Sequence, residues 1–258
     1  MSLLQQALRA GHRATPVAAW RGAVVVGAGG SLGAAVLERA LVVFGHVQVL
    51  VDTPVAPAMR GFDPVPRSAL GPGSLSADTA LVVFDRERGV NGREAAFHRP
   101  EPQQLPALAR ALHDCGVRYL LVVLPHAPAL LPAALKAGLA SLDEQAVASL
   151  GFDQLVIVRS ARPEVRRRAA AWPQRVADAM LSQLHWMVPQ RDQPVRPAKV
   201  AEVVVELARR LPLARHGTRV APPELVWLAA RGADAGDVVQ RWLDDAPWQQ
   251  GPVDDRRW

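Results

Sequence analysis

A chain of 258 residues, half of them hydrophobic, is long enough for an α/β domain with a sizeable core and too apolar to be disordered throughout. The formal net charge is +6, but no arginine-rich run is interleaved with aromatic residues, so we expect no nucleic-acid partner. A single cysteine excludes an internal disulfide. Because no apolar run reaches membrane length and the amino terminus lacks a signal-peptide pattern, we expect a cytoplasmic protein without a membrane partner.

The first strongly patterned stretch of the chain predicts a strand, a glycine turn and a helix, after an amino-terminal helical extension at residues 1–20. Residues 23–26 are a short apolar run of the kind that buried parallel strands need. Ser31 is predicted to cap a helix that runs to about residue 44. Three glycines follow the strand at three-residue intervals: Gly27, Gly30 and Gly33.

A second buried strand is predicted at residues 47–51, with Asp52 at its carboxyl end. The whole unit is therefore a βαβ crossover whose turn has the form that binds phosphate, because free N–H groups and the helix dipole favour an anion there. The common pattern G-x-G-x-x-G does not fit, since its sixth position is Leu32, and the register that fits is G-x-x-G-x-x-G. A tight glycine turn that binds nothing is the alternative.

The remaining pattern alternates strands and helices, which predicts a parallel sheet with helices on both faces. Further strands are predicted at residues 62–65, 80–84 and 117–124 and, as LVIV, within residues 152–159. Further helices are predicted at residues 103–115, 163–188, 196–211, 222–231 and 234–243, with one helix or two short ones at residues 130–150. We expect an α/β, doubly wound, Rossmann-like core at residues 21–160. A small helical C-terminal lobe at residues 161–258 is expected to pack over the carboxyl edge of the sheet, as part of a single structural unit.

The glycine spacing resembles that of the atypical and extended short-chain dehydrogenase/reductases, a superfamily of NAD(P)H-binding, epimerase-like proteins. Three further segments resemble the fifth strand, the sixth strand and a late helix of that superfamily more weakly: GVRYLLVVLP, GFDQLVIVRSARP and PAKVAEVVVELARRL. The resemblance therefore covers roughly residues 22–231. It implies that a small-molecule dinucleotide binds at the turn and at the acid that follows the second strand. The implied cofactor-binding residues are Gly27, Gly30, Ser31, Leu32, Gly33 and Asp52. Asp52 favours NAD(H) over NADP(H), because a carboxylate accepts bonds from ribose hydroxyls and repels a 2′-phosphate.

The catalytic residues that the resemblance implies are incomplete. Active members of the superfamily place a tyrosine four residues before a lysine, and the pair handles the proton and the nicotinamide ribose. Lys136 falls at the lysine position, but Pro132 stands where the tyrosine should be. The only tyrosine, Tyr119, is predicted to lie inside the fifth strand. His126 is a candidate substitute acid, and a solvated lysine and a surface histidine are the alternatives at these two positions.

Two functions are compatible with a chain that has the glycine turn but has Pro132 in place of the expected tyrosine. The first is a dinucleotide-binding protein that acts as a sensor or scaffold, with a protein partner or a homo-oligomer left open. The second is an NAD(P)-dependent oxidoreductase or sugar-nucleotide epimerase that uses a non-standard acid. No metal site is expected, because the histidines do not pair with Cys, Asp or Glu at ligand spacing.

Overall fold

The structure is a computed structural model, and it describes residues 22–56, 60–85, 95–124, 144–159, 195–231 and 234–248. These residues form a sheet of seven strands with helices on both faces. The strands are β1 (Gly22–Val26), β2 (His46–Val51), β3 (Phe62–Pro66), β4 (Thr79–Val83), β5 (Tyr119–Leu124), β6 (Gln154–Arg159) and β7 (Gly217–Ala221). The helices are α1 (Gly30–Val43), α2 (Leu105–Asp114), α3 (Pro197–Arg210), α4 (Pro223–Arg231) and α5 (Ala235–Leu243).

The order of the strands is β3-β2-β1-β4-β5-β6-β7, and every neighbouring pair is parallel. The order runs outward from β1 in both directions, which is the doubly wound, Rossmann-like arrangement. The point at which the order reverses lies between β1 and β4. In open α/β sheets, ligands bind outside the carboxyl ends of the strands at this point.

Burial on both faces explains why the inner strands of the sheet are mostly apolar. In β1, Ala23 and Val25 belong to the core under α1 and α3, whereas Val24 and Val26 belong to the core under α2. Because side chains alternate between the two faces of a sheet, a strand that is covered on both faces carries apolar residues at most of its positions. The fold class predicted from the alternating pattern is therefore confirmed.

The two long amphipathic helices bury the faces that their spacing predicts. In α2 the buried residues are Leu105, Leu108, Ala109 and Leu112. In α3 the buried residues recur at intervals of three and four along the helix, and the helix packs against α1 on one face of the sheet. The expectation that the carboxy-terminal helices cover the carboxyl edge is thus wrong for α3, because its apolar stripe matches the sheet face and not the edge.

The strand β7 is not predicted by the sequence pattern, which indicates only helices in the carboxy-terminal third. Its sequence, GTRVA, has few apolar residues, and most of its positions are not buried because it lies at the edge of the sheet. It pairs with β6 from Gln154↔Gly217 to Val158↔Ala221. Predicted helices at residues 1–20 and 163–188, and most of that at 130–150, lie outside the described residues.

Candidate functional site

The glycine turn lies where β1 ends and α1 begins, beside the reversal of the strand order. Gly27 has φ +83° and Gly30 has φ +84°, so both adopt the left-handed conformation that favours glycine. The turn therefore needs glycine at these two positions for backbone reasons alone. Gly30 is also the first residue of α1, so its φ fixes the direction in which the first N–H groups of the helix point.

Two of the glycines let backbone segments pack at close range. A Cβ on Gly27 would lie 2.0 Å from the carbonyl oxygen of Val83, at the end of β4. A Cβ on Gly33 would lie 2.1 Å from the carbonyl oxygen of Gly27. The glycines at the two ends of the pattern thus bring the turn against β4 and the helix against the turn, which is one of the roles that glycines have in dinucleotide-binding turns.

Ser31 does not cap the helix, and this expectation from the sequence is wrong. The helix begins at Gly30, and its N-cap, two residues before Ser31, is Gly29, which has no side chain that could form a capping hydrogen bond. Ser31 lies inside the first turn and is exposed. The left-handed Gly30 allows the helix to start at once after the turn, so the serine is displaced from the N-cap position.

The side chain that caps α1 comes instead from Asp85, two residues beyond the end of β4. Its Oδ2 atom accepts a hydrogen bond of 2.7 Å from the Leu32 N–H and a longer one of 3.4 Å from the Gly33 N–H. A carboxylate is favoured here for the same reason as a phosphate, since both are anions at the positive end of a helix. The sequence analysis did not single out Asp85.

Asp52 lies at the carboxyl end of β2, as predicted, and its side chain is 47% exposed. The ring nitrogen Nδ1 of His98 lies 2.9 and 3.0 Å from the two carboxylate oxygens of Asp52. Because an ionised carboxylate only accepts hydrogen bonds, we assign the hydrogen to Nδ1. Each oxygen of Asp52 keeps a further acceptor position, so the partly exposed carboxylate can still receive hydroxyl donors.

His98 is held by a segment that crosses the carboxyl edge of the sheet, residues 95–100, here called the crossing segment. The His98 N–H donates to the Leu50 carbonyl (2.9 Å), while the His98 carbonyl accepts from the Gly27 N–H (3.2 Å). The Asp52 N–H donates to the Ala96 carbonyl at 2.8 Å. The crossing segment is therefore bonded to the extensions of both β1 and β2, and it buries His98 between them.

The next residue of the crossing segment connects it to the other acid of the site. Arg99 donates from Nη2 to the carbonyl oxygen of Asp85 at 2.7 Å. Consecutive residues thus hold the side chain of Asp52 and the backbone of Asp85. No feature of the sequence alone distinguishes His98 or Arg99, because their partners lie 46 and 14 residues away.

The predicted catalytic candidates fall outside this constellation. Lys136, His126 and the position of Pro132 lie outside the described residues, so their roles stay predictions. Tyr119 is the first residue of β5 and is buried, which confirms that it lies in the fifth strand. Among the residues that the structure describes, no group of three His, Cys, Asp or Glu side chains is placed to hold a metal ion.

The arrangement fits a dinucleotide in two respects and opposes it in a third. The left-handed turn and the half-exposed Asp52 suit a diphosphate and a ribose diol. In contrast, the Leu32 N–H, which would face a phosphate at the start of α1, donates to the carboxylate of Asp85. The residues therefore fit the dinucleotide only if the Asp85 side chain moves.

No protein-family model matches the chain, and no curated protein matches it. Solved structures that are similar include uronate dehydrogenase from Agrobacterium tumefaciens, at 14% identity over 92% of this chain and 92% of that one, with a TM-score of 0.48. UDP-N-acetylglucosamine 4-epimerase from Bacillus cereus is 14% identical over 78% of each chain, with a TM-score of 0.48. UDP-glucose 4-epimerase from Brucella ovis, solved in complex with NAD, is 14% identical over 78% of this chain and 76% of that one, with a TM-score of 0.45. At these values neither the fold nor the function rests on the likeness.

In the part of the chain that the structure describes, no helix has both the length and the apolar character that crossing a bilayer requires.

Proposed function

We propose that this chain binds a nicotinamide dinucleotide at the turn between β1 and α1, and acts as a nucleotide sensor or scaffold. The observation that carries the proposal is the pairing of a left-handed turn, at Gly27 and Gly30, with Asp52 at the end of the adjacent strand. In doubly wound sheets this pair of features holds the diphosphate and the ribose of one ligand. Pro132, at the position where the resemblance implies a tyrosine, favours binding without the usual proton relay.

Asp52 supports NAD(H) as the preferred form. Its carboxylate is half exposed and has His98 as a fixed partner, so it is held in one orientation at the end of β2. A ribose with free hydroxyls donates to such a carboxylate, whereas a 2′-phosphate brings a second negative charge against it. We expect NADH to bind more tightly than NADPH.

The test is calorimetric titration of NADH into the full chain and into a Gly30→Ala variant. Alanine at φ +84° is strained, so the turn must relax and the first N–H groups of α1 must change direction. The affinity should fall by about tenfold or more. Gly151→Ala is the matched control, because Gly151 has φ +83°, open space around its Cβ position and a place before β6, at the opposite edge of the sheet.

An unchanged affinity in Gly30→Ala, in a variant that stays folded, would contradict the site. Equal losses in Gly30→Ala and Gly151→Ala would show that strain in general, and not the turn, lowers the affinity. Both variants are first compared by thermal unfolding without ligand, so that a loss of fold is recognised.

The alternative function is an NAD(P)-dependent oxidoreductase or an epimerase-like enzyme with a non-standard acid. It is separated from the first by mixing the chain with NADH and a panel of carbonyl compounds and following the nicotinamide absorbance. Turnover that is lost in Lys136→Ala or His126→Ala would favour the enzyme. Binding without turnover would favour the sensor or scaffold.

A further inference from the structure

The amino-terminal end of α1, where the diphosphate of the proposed ligand would bind, is already bonded to a carboxylate of the same chain, that of Asp85. The Asp85 carboxylate bonds the N–H groups of Leu32 and Gly33, which belong to the first turn of α1. Leu32 is the third residue of the helix, so its N–H has no partner inside the helix and carries part of the positive partial charge, whereas the Gly33 N–H faces the Gly29 carbonyl and makes only a longer contact with Asp85. An internal carboxylate and a phosphate therefore need the same atoms.

The position of Asp85 follows from the sheet. The register Val26↔Val82 places the end of β4 beside the end of β1. The Phe84 N–H donates to the Val123 carbonyl at 3.0 Å and extends the ladder by one residue. Arg99 then holds the carbonyl of Asp85. The backbone at this point is fixed on two sides, so the carboxylate is aimed at the helix by the fold.

We propose that Asp85 is an internal competitor for the diphosphate, and that the structure shows the closed form of the proposed site. This inference rests on the proposed function, since it assigns a control to the same site. A diphosphate near Leu32 would meet the negative charge of the Asp85 carboxylate at close range. Binding therefore requires the Asp85 side chain to leave the helix.

The movement that we propose is a change of side-chain rotamer at Asp85. Asp85 is partly exposed, so its carboxylate can turn towards solvent and be hydrated there. Its backbone contacts, through the Phe84 N–H and the Asp85 carbonyl, do not involve the carboxylate. The affinity of the open site is thus reduced by the cost of opening, and that cost is lower when the side chain carries no charge.

The experiment is calorimetric titration of NADH into the wild type and into Asp85→Asn. Asparagine keeps the shape and can still accept a hydrogen bond from the Leu32 N–H, but it neither repels a diphosphate nor is held as strongly by the helix dipole. We expect NADH to bind about tenfold more tightly, or better, to Asp85→Asn. Asp85→Ala, which has no side-chain acceptor, is the second variant and should also bind more tightly.

Asp78→Asn is the matched control. Asp78 immediately precedes β4 as Asp85 follows it, both are partly exposed, and both substitutions change the net charge equally. Its Oδ1 atom accepts from the Thr79 hydroxyl at the opposite edge of the sheet. A general effect of charge would raise the affinity of both variants, whereas competition at the helix end would raise it only when Asp85 is changed.

The outcomes separate the two proposals. If wild type and Asp85→Asn bind NADH with equal affinity, or Asp78→Asn gains as much, internal competition is refuted while dinucleotide binding stands. If neither wild type nor either Asp85 variant binds any nicotinamide form, the proposed function and this inference both fail.

Discussion

Gly33→Ala tests the close packing that places α1 against the turn. Gly33 is a buried residue of the helix, where alanine would ordinarily be favoured over glycine by about 1 kcal/mol. Here the new Cβ would lie 2.1 Å from the carbonyl oxygen of Gly27 and 2.9 Å from the carbonyl carbon of Ala28. Both are backbone atoms of a constrained turn, so neither can rotate away.

The expected loss follows from these two opposing contributions. Overpacking in a rigid environment costs up to about 3 kcal/mol, and the gain in helix propensity offsets about 1 kcal/mol of it. We therefore expect Gly33→Ala to lower the free energy of unfolding by about 2 kcal/mol. For a chain of this size, that corresponds to a fall in Tm of about 4–8 °C.

The assay is thermal unfolding of Gly33→Ala beside Gly236→Ala, which is also a glycine inside a helix. The new Cβ at Gly236 would first meet Arg210 Nη2 at 2.7 Å, then carboxylate oxygens, all of them ends of flexible side chains. That variant should stay within about 0.5 kcal/mol of the wild type. A Gly33→Ala variant as stable as Gly236→Ala would refute the packing of α1 on the turn.

Three further predictions concern single contacts. Asp234→Ala should lower the free energy of unfolding by about 1 kcal/mol in denaturant titration, because its carboxylate caps α5 through two backbone N–H groups at 2.9 and 3.2 Å; an unchanged midpoint would contradict the cap. Burial raises the pKa of Glu206, but Arg209 and Arg210 outweigh it and hold that pKa below 4.5. The stability that the ionised Glu206 contributes is present above pH 4.5 and is lost as the pH falls further, so the difference in unfolding free energy between wild type and Glu206→Gln should shrink below that pH. If the unfolding free energies of the two proteins change with pH in parallel, this contribution of Glu206 is refuted. Asp52→Asn should narrow the difference between the NADH and NADPH affinities measured by calorimetry, since the charge that repels a 2′-phosphate is gone. If the ratio of the two affinities is unchanged, Asp52 does not belong to the binding site.

Most of the fold could be predicted from local sequence, because the spacing of apolar residues within a buried strand or helix indicates which of its faces are buried. The runs that became β1, β2, β4, β5 and β6 are mostly apolar, as strands buried on both faces usually are, and the buried polar residues in them are Gln48, Thr79 and Gln154. The strand β7 was missed for the same reason: an edge strand with exposed residues has no such pattern.

The candidate site could be predicted only in part. The turn and Asp52 could be predicted because both lie inside one βαβ unit, whose two parallel strands end side by side at the same edge of the sheet. Asp85 meets Leu32 across 53 residues of sequence, and the contact exists only because β4 pairs with β1. The sequence shows that α1 begins near Ser31, but not which side chain reaches its first N–H groups.

Whether a dinucleotide binds at the turn is tested most directly by titrating NADH into the wild-type chain and into Asp85→Asn, with heat as the readout. The predicted result is saturable binding at one site per chain, tighter when the carboxylate has been neutralised. An absence of heat with NADH and with NADPH in both proteins, each shown to be folded, would contradict the site built on Gly27, Gly30 and Asp52.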